Sequence, residues 1–501
     1  MNQAYWPGLV AVLVLYVLIF AVGVWAGRKN DASGGVEDML LAGRKLPLWV
    51  GLLTMTATWV GGGYINGTAQ ATYESGVLWG AQAGMGYALS LLVGGLVYAG
   101  VMRRHGFTTL VDPLEDRYGP VAALILMVPA VFAELCWSAA ILVALGSTVH
   151  AILGFDSLAT AIAVSAGVAI AYTVFGGLRA VAYTDVVQMF LIVLGLAVAV
   201  PSAVSVVGGW GALAQAGIGD AGLSDPHTAL FYGDYLLLFV LGGIPWNVYF
   251  QRVLSAPDVR SARLLSFGAG ALCLVAAVPP ILLGLVARSL DWQVVAGPEI
   301  AAQVAAHPSE VLAWLLRSAV SPWVGVVGLG AVSAAVMSSV DSSMLSAASL
   351  VGWNGYRRVL APQASDAQVM RVIQGLIVVL GVAATGIALT VQSIADLWYL
   401  CGDIVYCALF PQLTLALFDP KVNRTGALAG LAVAAFLRMG GGVSVFGIPA
   451  FLFAQPVPDV DFPFRTLAML AGLVTAVVVS RLSATYDPPR ALREPLVEAA
   501  A

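Results

Sequence analysis

Five aromatic residues stand inside the apolar stretches of this sequence rather than at their ends: Trp59, Tyr87, Trp137, Trp246 and Trp398. If those stretches cross a membrane, anchoring at the lipid–water interface does not explain them, and each indole N–H needs a partner. One interpretation is packing between helices. The other is an aromatic cage, which binds a quaternary ammonium through ring faces worth about 0.5–2 kcal/mol each.

Oxygen atoms form a second candidate site. Ser338 and Ser339 are adjacent in a serine-rich apolar stretch, and their hydroxyls are hard ligands of the kind that sodium requires. Backbone carbonyls near Ala57 and Val60, where a helix is predicted to break, could complete such a site, because unwound carbonyls coordinate sodium in broken membrane helices. The alternative is that each serine bonds back to its own helix.

Acidic residues in the apolar stretches form a third group. A charge at mid-bilayer costs at least about 2.5–3.5 kcal/mol, so each such residue is a candidate functional residue. The candidates are Glu134, Asp341, Asp403 and Asp185. Asp341 follows Ser338 by three residues and shares its helix face, so it could hold a second cation or carry a proton. Glu134 precedes Trp137 by three residues and could face the same cavity. Each acid could instead make a hydrogen bond between helices.

The composition places these residues in a membrane. The chain is 60% hydrophobic and only 10% charged, against about 25% charged residues in soluble domains, so we predict a polytopic membrane protein. We interpret its four cysteines as buried free thiols without metal-ligand spacing. The sequence shows no patch typical of nucleic-acid binding and no phosphate-binding glycine loop, which implies an energy source other than ATP if the protein pumps.

Two of the apolar stretches are interrupted, and each interruption carries a tryptophan. The first contains Trp59 and the glycines Gly61–Gly63; the second is the run Gly242–Trp246, which includes a proline. Glycine weakens a helix by about 1 kcal/mol relative to alanine, and proline removes a donor. Close packing of small residues explains one break, but paired breaks in two halves indicate a transporter with inverted repeats and a midplane site.

The whole chain is predicted to be an all-α membrane protein of about thirteen spans, with one transporter domain at 1–495 and a cytoplasmic tail at 482–501. Span 1 is expected at about 5–27, a core of five plus five inverted spans at about 46–418, and two further spans at about 425–440 and 463–481. Nineteen of the 23 Lys and Arg residues, including Arg252, fall in one set of alternate loops. The positive-inside rule then puts the N-terminus outside and the C-terminus in the cytoplasm.

Several long motifs resemble the sodium:solute symporters and, within that family, the high-affinity choline transporters. The resemblance runs from about Gly51 to Leu470 and includes TMTATWVGGGYINGTA at 54–69. Further matching stretches lie at 181–188, 241–246, 249–255, 328–339 and 397–400. The resemblance implies a LeuT-type core with spans 2 and 7 broken, and sodium-coupled uptake of choline, with chloride dependence in the animal members. The short tail and the Ala/Val-rich composition suggest a prokaryotic protein.

The resemblance also implies roles for individual residues. The sodium site of the family corresponds here to backbone oxygens of Ala57 and Val60, together with Ala335, Ser338 and Ser339. A second cation position would involve Asp341, with Asp185 and Thr58. The choline pocket corresponds to Trp59, Tyr87, Trp137 and Trp246, with Trp398 beside it.

Two features depart from the animal choline transporters: Val443 stands in place of a glutamate, and the long cytoplasmic tail is missing. We expect a sodium-driven choline importer in the plasma or inner membrane, with no catalytic residues and no organic cofactor, and the oligomeric state is left open. The alternatives are a symporter for betaine or a related amine, and a choline sensor that does not transport. An enzyme using Glu134 and Asp341 as acid and base is disfavoured, because no nucleophile, metal cluster or cofactor motif accompanies them.

Overall fold

Helices make up almost all of the described chain. The computed structural model describes residues 6–27, 35–153, 155, 157–174, 177–215, 222–453 and 462–496. Within these ranges the only β pairing is one antiparallel bridge between Val443 and Ile448. Apolar segments in a bilayer must satisfy every backbone N–H and C=O internally, and an α-helix does so within a single segment.

Ten helical segments in the described ranges are long and apolar enough to cross a membrane. We number the membrane segments spans 1 to 13 in chain order. The ten are span 1 (Trp6–Gly27), span 3 (Val77–Arg104), span 4 (Pro120–Leu153), span 6 (Leu178–Val206), span 7 (Pro226–Ser255), span 8 (Val259–Ser289), span 9 (Pro322–Leu360), span 10 (Asp366–Val391), span 11 (Ile394–Phe418) and span 13 (Phe464–Ser483).

Three segments have shorter helices. Span 2 consists of Leu48–Trp59 and Gly62–Ser75, span 5 is Leu158–Thr173, and span 12 is Arg424–Gly440. A helix of 16 or 17 residues is about 24–26 Å long, slightly less than the hydrocarbon thickness of about 30 Å. Spans 3, 9 and 11 contain wider π-helical turns at Gly94–Tyr98, Leu350–Leu360 and Val405–Leu409.

Short helices connect the spans. The α-helices among them are Gly35–Leu41, Asp112–Tyr118, Trp210–Gln215, Trp292–Ala296, Pro298–Ala306 and Val311–Ser318, and the 3₁₀ turns are Ala42–Arg44, Pro308–Glu310 and Ser444–Phe446. Spans 9 and 11 are the most enclosed of the ten long spans, because most of their residues are buried by other helices, whereas span 1 is largely exposed. Ser338 and Ser339, the serines predicted to bind sodium, therefore lie on one of the inner helices.

The predicted break in span 2 is confirmed. Its first helix ends at Trp59 and its second begins at Gly62, with Val60 (φ −87°, ψ 50°) and Gly61 (φ −89°, ψ −171°) outside helical geometry. A Cβ atom on Gly61 would overlap the Ser339 side chain of span 9, whereas one on Gly63 would meet nothing within 4 Å. Glycine at position 61 is thus required for the close approach of the break to span 9.

The predicted break in span 7 is also confirmed. The first helix ends at Gly242 and the second begins at Asn247, while Trp246 is extended at φ −107° and ψ 132°. The indole Nε1–H of Trp246 donates to the Gly242 carbonyl at 2.8 Å and so satisfies one of the acceptors left open at a helix end. Both breaks therefore place a tryptophan at the point where the helix stops.

Candidate substrate and ion site

The five aromatic side chains predicted to form a cage line one cavity between the two breaks, and each is more than nine-tenths buried. They come from five different segments, namely spans 2, 3, 4, 7 and 11. The rest of the lining is Tyr64, Val248, Ser339, Gly61 and Gly63. The fold thus brings together residues that are far apart in the sequence.

The rings meet at tilted and edge-on angles. The ring centroids of Trp59 and Tyr87 are 4.7 Å apart, and those of Trp137 and Trp246 are 5.5 Å apart at an interplanar angle of 70°. Trp398 lies 5.8 Å from Tyr87. Both packing and cation recognition favour such distances, but several electron-rich ring faces around one small space are the arrangement that attracts a cation without N–H donors.

The two tryptophans at the breaks differ in the hydrogen bonding of their indole N–H groups. Trp246 donates to Gly242, whereas the Trp59 Nε1 atom is buried and has no hydrogen-bond partner among the described residues. A buried donor without a partner costs about 1–3 kcal/mol. The Trp59 indole is therefore available to a hydroxyl, a carboxylate or a water molecule in the cavity.

Three of the predicted sodium ligands meet at the first break. The Ser338 hydroxyl lies 3.1 Å from the Ala57 carbonyl oxygen and 2.8 Å from that of Ala335. Its bond to Ala335 lies within its own helix, so the alternative predicted for serine is present as well. Ser339 donates to the Thr58 carbonyl at 3.4 Å. Val60, the last of the five, is the buried residue that follows the helix end.

The three candidates for a second cation site lie close to this point without forming one compact set. Thr58 Oγ1 is 3.5 Å from Ser342 Oγ and donates to the Thr54 carbonyl. Asp185 accepts a hydrogen bond from Thr54 Oγ1 at 2.5 Å. Asp341 borders a smaller cavity lined by Tyr16, Leu145, Val168, Ala169, Met337 and Val340, and it is close enough to Asp185 for Coulombic interaction.

The structure corrects the prediction that Arg252 lies in a cytoplasmic loop. Arg252 lies in the second helix of span 7 and is completely buried. Its Nη2 donates to Ser342 Oγ at 2.7 Å and is 3.6 Å from Asp185 Oδ2. Because it neutralises a buried carboxylate, it carries no information on which side of the membrane the neighbouring loop lies.

Two further acids lie away from the aromatic cavity. For Glu134 the sequence left two alternatives, the cavity of Trp137 or a hydrogen bond between helices, and the structure shows the second: Ser346 Oγ of span 9 donates to Glu134 at 2.6 Å. Asp403 accepts from Arg438 at 2.5 Å and from Arg465 at 3.2 Å. That ion cluster borders a separate cavity of about 510 Å³, which Val443 also lines.

Sequence reasoning missed several residues of the site. Tyr64 lies inside the first break motif and stacks near Tyr87, with ring centroids 6.2 Å apart, so its proximity to Trp59 in sequence was an available signal. Phe239 contacts the outer side of the cluster, 5.3 Å from Tyr87. Ser342 stands in the serine-rich run, four residues after Ser338, and could have been found by helical spacing.

Comparison with known proteins decides the family. The model of the sodium:solute symporter family matches residues 39–434. The chain belongs to the sodium:solute symporter family. Membership confirms the family predicted from the motifs and makes the protein a transporter rather than an enzyme. Among curated relatives, the high-affinity choline transporter 1 of Caenorhabditis elegans is 46% identical over 491 residues, covering 94% of this chain and 84% of the relative.

Two other relatives in this symporter family extend the comparison. The human high affinity choline transporter 1 is 41% identical over 504 residues, covering 95% of this chain and 85% of the relative. The sodium/glucose cotransporter of Vibrio parahaemolyticus is 26% identical over 519 residues, covering 94% of this chain and 89% of the relative.

Solved structures confirm the LeuT-type fold of this symporter. A substrate-bound, outward-open Na⁺-coupled sialic acid symporter superposes with a TM-score of 0.76 at 17% identity, covering 97% of this chain and 99% of the other. Inward-facing Mhp1 gives a TM-score of 0.51 at 14% identity over 88% and 93% of the two chains. At these identities the likeness concerns the fold alone. The family and the ten apolar helices of spanning length identify the chain as a multi-pass membrane protein.

Proposed function

We propose that this protein is a sodium-coupled symporter that imports choline. The observation that carries the proposal is the set of five aromatic side chains around one cavity, next to the serine and carbonyl oxygens of the first break. Choline presents a quaternary ammonium without N–H donors, so ring faces can bind it without a carboxylate. Identities of 41–46% to high-affinity choline transporters over most of the chain support the same substrate.

Sodium is proposed to bind at the break beside the aromatic cavity. The proposed ligands are backbone oxygens of Ala57 and Val60 with Ala335, Ser338 and Ser339, and a second cation is proposed at Thr58, Asp185 and Asp341. Ser339 lines the aromatic cavity and also donates to the carbonyl of Thr58, the residue before Trp59. An ion that fixes this turn therefore fixes the Trp59 ring, which is the physical basis proposed for coupling.

The transport cycle follows from the two breaks. Broken helices can pivot where their hydrogen bonding is interrupted, so the halves of spans 2 and 7 open the cavity first to one side and then to the other. The proposed setting is the plasma or inner membrane, with the N-terminus outside and the C-terminus in the cytoplasm. Residues 1–495 would form one transporter domain, in which spans 2–11 are the core.

The Trp59 N–H supplies the polar contact in this proposal. Choline carries a hydroxyl at the end opposite its ammonium group, and the buried Trp59 Nε1 has no partner among the described residues. A hydrogen bond from this indole would orient choline and discriminate against simple tetraalkylammonium ions, because the lost bond would leave the donor buried and unpaired.

Uptake of labelled choline into proteoliposomes tests the proposal. Vesicles with an inward sodium gradient are compared with vesicles in which potassium replaces sodium, at matched membrane potential. We expect uptake that requires the sodium gradient and that excess unlabelled choline suppresses. Uptake that betaine suppresses more strongly than choline would assign a different amine as substrate, and uptake that follows a proton gradient instead would remove sodium. Replacement of chloride by gluconate measures any chloride requirement in the same vesicles.

A further inference from the structure

Arg252 is the only arginine among the described residues whose side chain is completely buried. Its guanidinium lies where four spans converge: span 7 carries it, span 9 supplies Ser342, span 6 supplies Asp185, and span 2 supplies Thr54 and Thr58. The rest of the guanidinium group is weakly held: Nη1 reaches the Val248 carbonyl at 3.5 Å, and Nε has no hydrogen-bond partner in the described part of the chain. The group is thus held mainly through Nη2.

Several acids surround this guanidinium. Asp185, Asp341 and Glu134 all lie within Coulombic range of Arg252. One oxygen of Asp185 has no hydrogen-bond partner among the described residues. Because a buried carboxylate is costly to remove from water unless it is paired, this oxygen of Asp185 favours the approach of a second positive charge.

The oxygens that hold Arg252 adjoin the proposed second cation site. Ser342 Oγ accepts from Arg252, lies 3.5 Å from Thr58 Oγ1 and donates to the Ser338 carbonyl at 2.9 Å. A cation placed among Thr58, Asp185 and Asp341 would need the same serine and the same carboxylate. The guanidinium and the ion cannot both bind Ser342 and Asp185 fully at the same time.

We propose that Arg252 is an internal counter-cation, which competes with the second transported cation for Asp185 and Ser342 and thereby links occupancy of that site to the inner helix of span 7. The inference rests on the proposed function, since it takes the second site to bind sodium. When sodium takes these oxygens, Arg252 loses its main contact and the helix Asn247–Ser255 loses a tether to spans 6 and 9. By linkage, sodium weakens the arginine contact by the same factor by which that contact weakens sodium binding.

Sodium titration of the purified protein without choline tests the competition. The readout is the sodium concentration at half-maximal thermal stabilisation, with potassium as the matched salt. Arg252→Gln should lower this midpoint by about tenfold, because a positive charge a few ångströms away no longer opposes the ion. Arg252→Lys keeps the charge and should stay within about threefold of wild type. The double variant D185N/R252Q should return toward the wild-type midpoint.

A second measurement uses the unmodified chain and does not depend on whether a variant folds. Hydrogen–deuterium exchange of residues 247–255 should be faster in sodium than in potassium, because the tether through Arg252 is released. An unchanged R252Q midpoint in folded protein, or slower exchange of this helix in sodium, would overturn the proposal and leave Arg252 as a structural ion pair. Neither readout involves choline, so failure of the choline assignment would appear separately, as absent uptake by wild-type vesicles.

Discussion

Trp59 and Thr58 are consecutive residues that face different parts of the site. The Trp59 ring borders the aromatic cavity, while the Thr58 carbonyl accepts a hydrogen bond from Ser339 of span 9. Both residues belong to the last turn of the helix Leu48–Trp59, and the backbone leaves helical geometry at Val60. We therefore expect a change in the ligands of these carbonyls to reach the aromatic ring that is proposed to contact the substrate.

At the residue scale, Trp246→Ala should weaken choline binding far more than sodium binding. The ring contributes one face to the cavity, and a desolvated cation–π contact is worth about 0.5–2 kcal/mol, so we expect the choline Kd to rise about 2- to 30-fold. Isothermal titration with choline at saturating sodium measures this change. The sodium midpoint, measured by thermal stabilisation, should move much less.

Trp323→Ala is the matched control for this tryptophan substitution. Trp323 lies at the start of span 9 and its side chain is 81% exposed, so its removal should leave the choline Kd unchanged. Equal losses of choline and sodium binding in Trp246→Ala would indicate that the fold has collapsed, and would contradict a specific role of the ring in the substrate cavity.

At the scale of elements, the triple glycine of span 2 combines two different requirements. Gly61 lies against span 9, where an added methyl group would overlap Ser339, and Gly62 lies against Val336 of the same span. A Cβ atom on Gly63 would meet nothing within 4 Å, and this glycine lines the cavity. The run is therefore a tight helix contact at its first two positions and an open wall of the binding cavity at the third.

Two alanine substitutions should separate these roles. Gly61→Ala should push the break away from span 9, so we expect the sodium midpoint to rise by at least about tenfold, since a lost ligand or hydrogen bond to a charged group is worth about 1.5–3 kcal/mol. Gly63→Ala should leave the sodium midpoint unchanged and raise the choline Kd, because the methyl group enters the cavity. Thermal titrations with each ligand measure both effects.

Gly167→Ala provides the control for these glycine changes. Gly167 is exposed in span 5, and a Cβ atom there would meet nothing within 4 Å, so the variant should bind both ligands like wild type. A Gly61→Ala protein with a normal sodium midpoint would show that the closeness of the break to span 9 does not matter for the ion.

At the scale of the whole molecule, the sequence predicted the features that depend on a few neighbouring residues. Glycine and proline runs predicted both breaks, and the tryptophans inside apolar stretches predicted the residues that line the cavity. Arg252 was misassigned because a basic residue near a loop looks the same whether it faces water or a buried acid such as Asp185. The partner of Glu134 was left open between two alternatives, because three-residue spacing gives neighbouring positions on a helix but does not say which group the carboxylate will bind.

The C-terminal segment also makes contacts that the sequence did not predict, and these contacts join residues that are far apart along the chain. Residues 484–496, which we call the C-terminal strap, return to the ends of other spans. Arg493 donates to both carboxylate oxygens of Asp116, at 2.7 and 2.8 Å, across 377 residues of sequence. Two other contacts hold the strap on either side of Arg493. The Leu496 amide donates to the Arg104 carbonyl at 2.8 Å, and Asp487 accepts from the Thr425 amide at 2.7 Å. Composition gave no sign that this segment is tied down.

Asp116→Asn should release the C-terminal strap at neutral pH. Burial alone would raise the pKa of Asp116, but the hydrogen bonds and the charge of Arg493 outweigh it and hold that pKa below its usual value. A lowered folded pKa means that the carboxylate stabilises attachment fully above about pH 4 and loses this effect as the pH falls through the lowered pKa. The asparagine should therefore give, at pH 7, the faster hydrogen exchange of residues 484–496 that we expect from wild type only in acid.

Arg371→Ala is the control and should leave the strap unchanged, because this exposed arginine donates to Ala367 of its own helix and makes no other hydrogen bond among the described residues. Equal protection of the strap in wild type and Asp116→Asn would mean that the Leu496 and Asp487 contacts hold it without the ion pair.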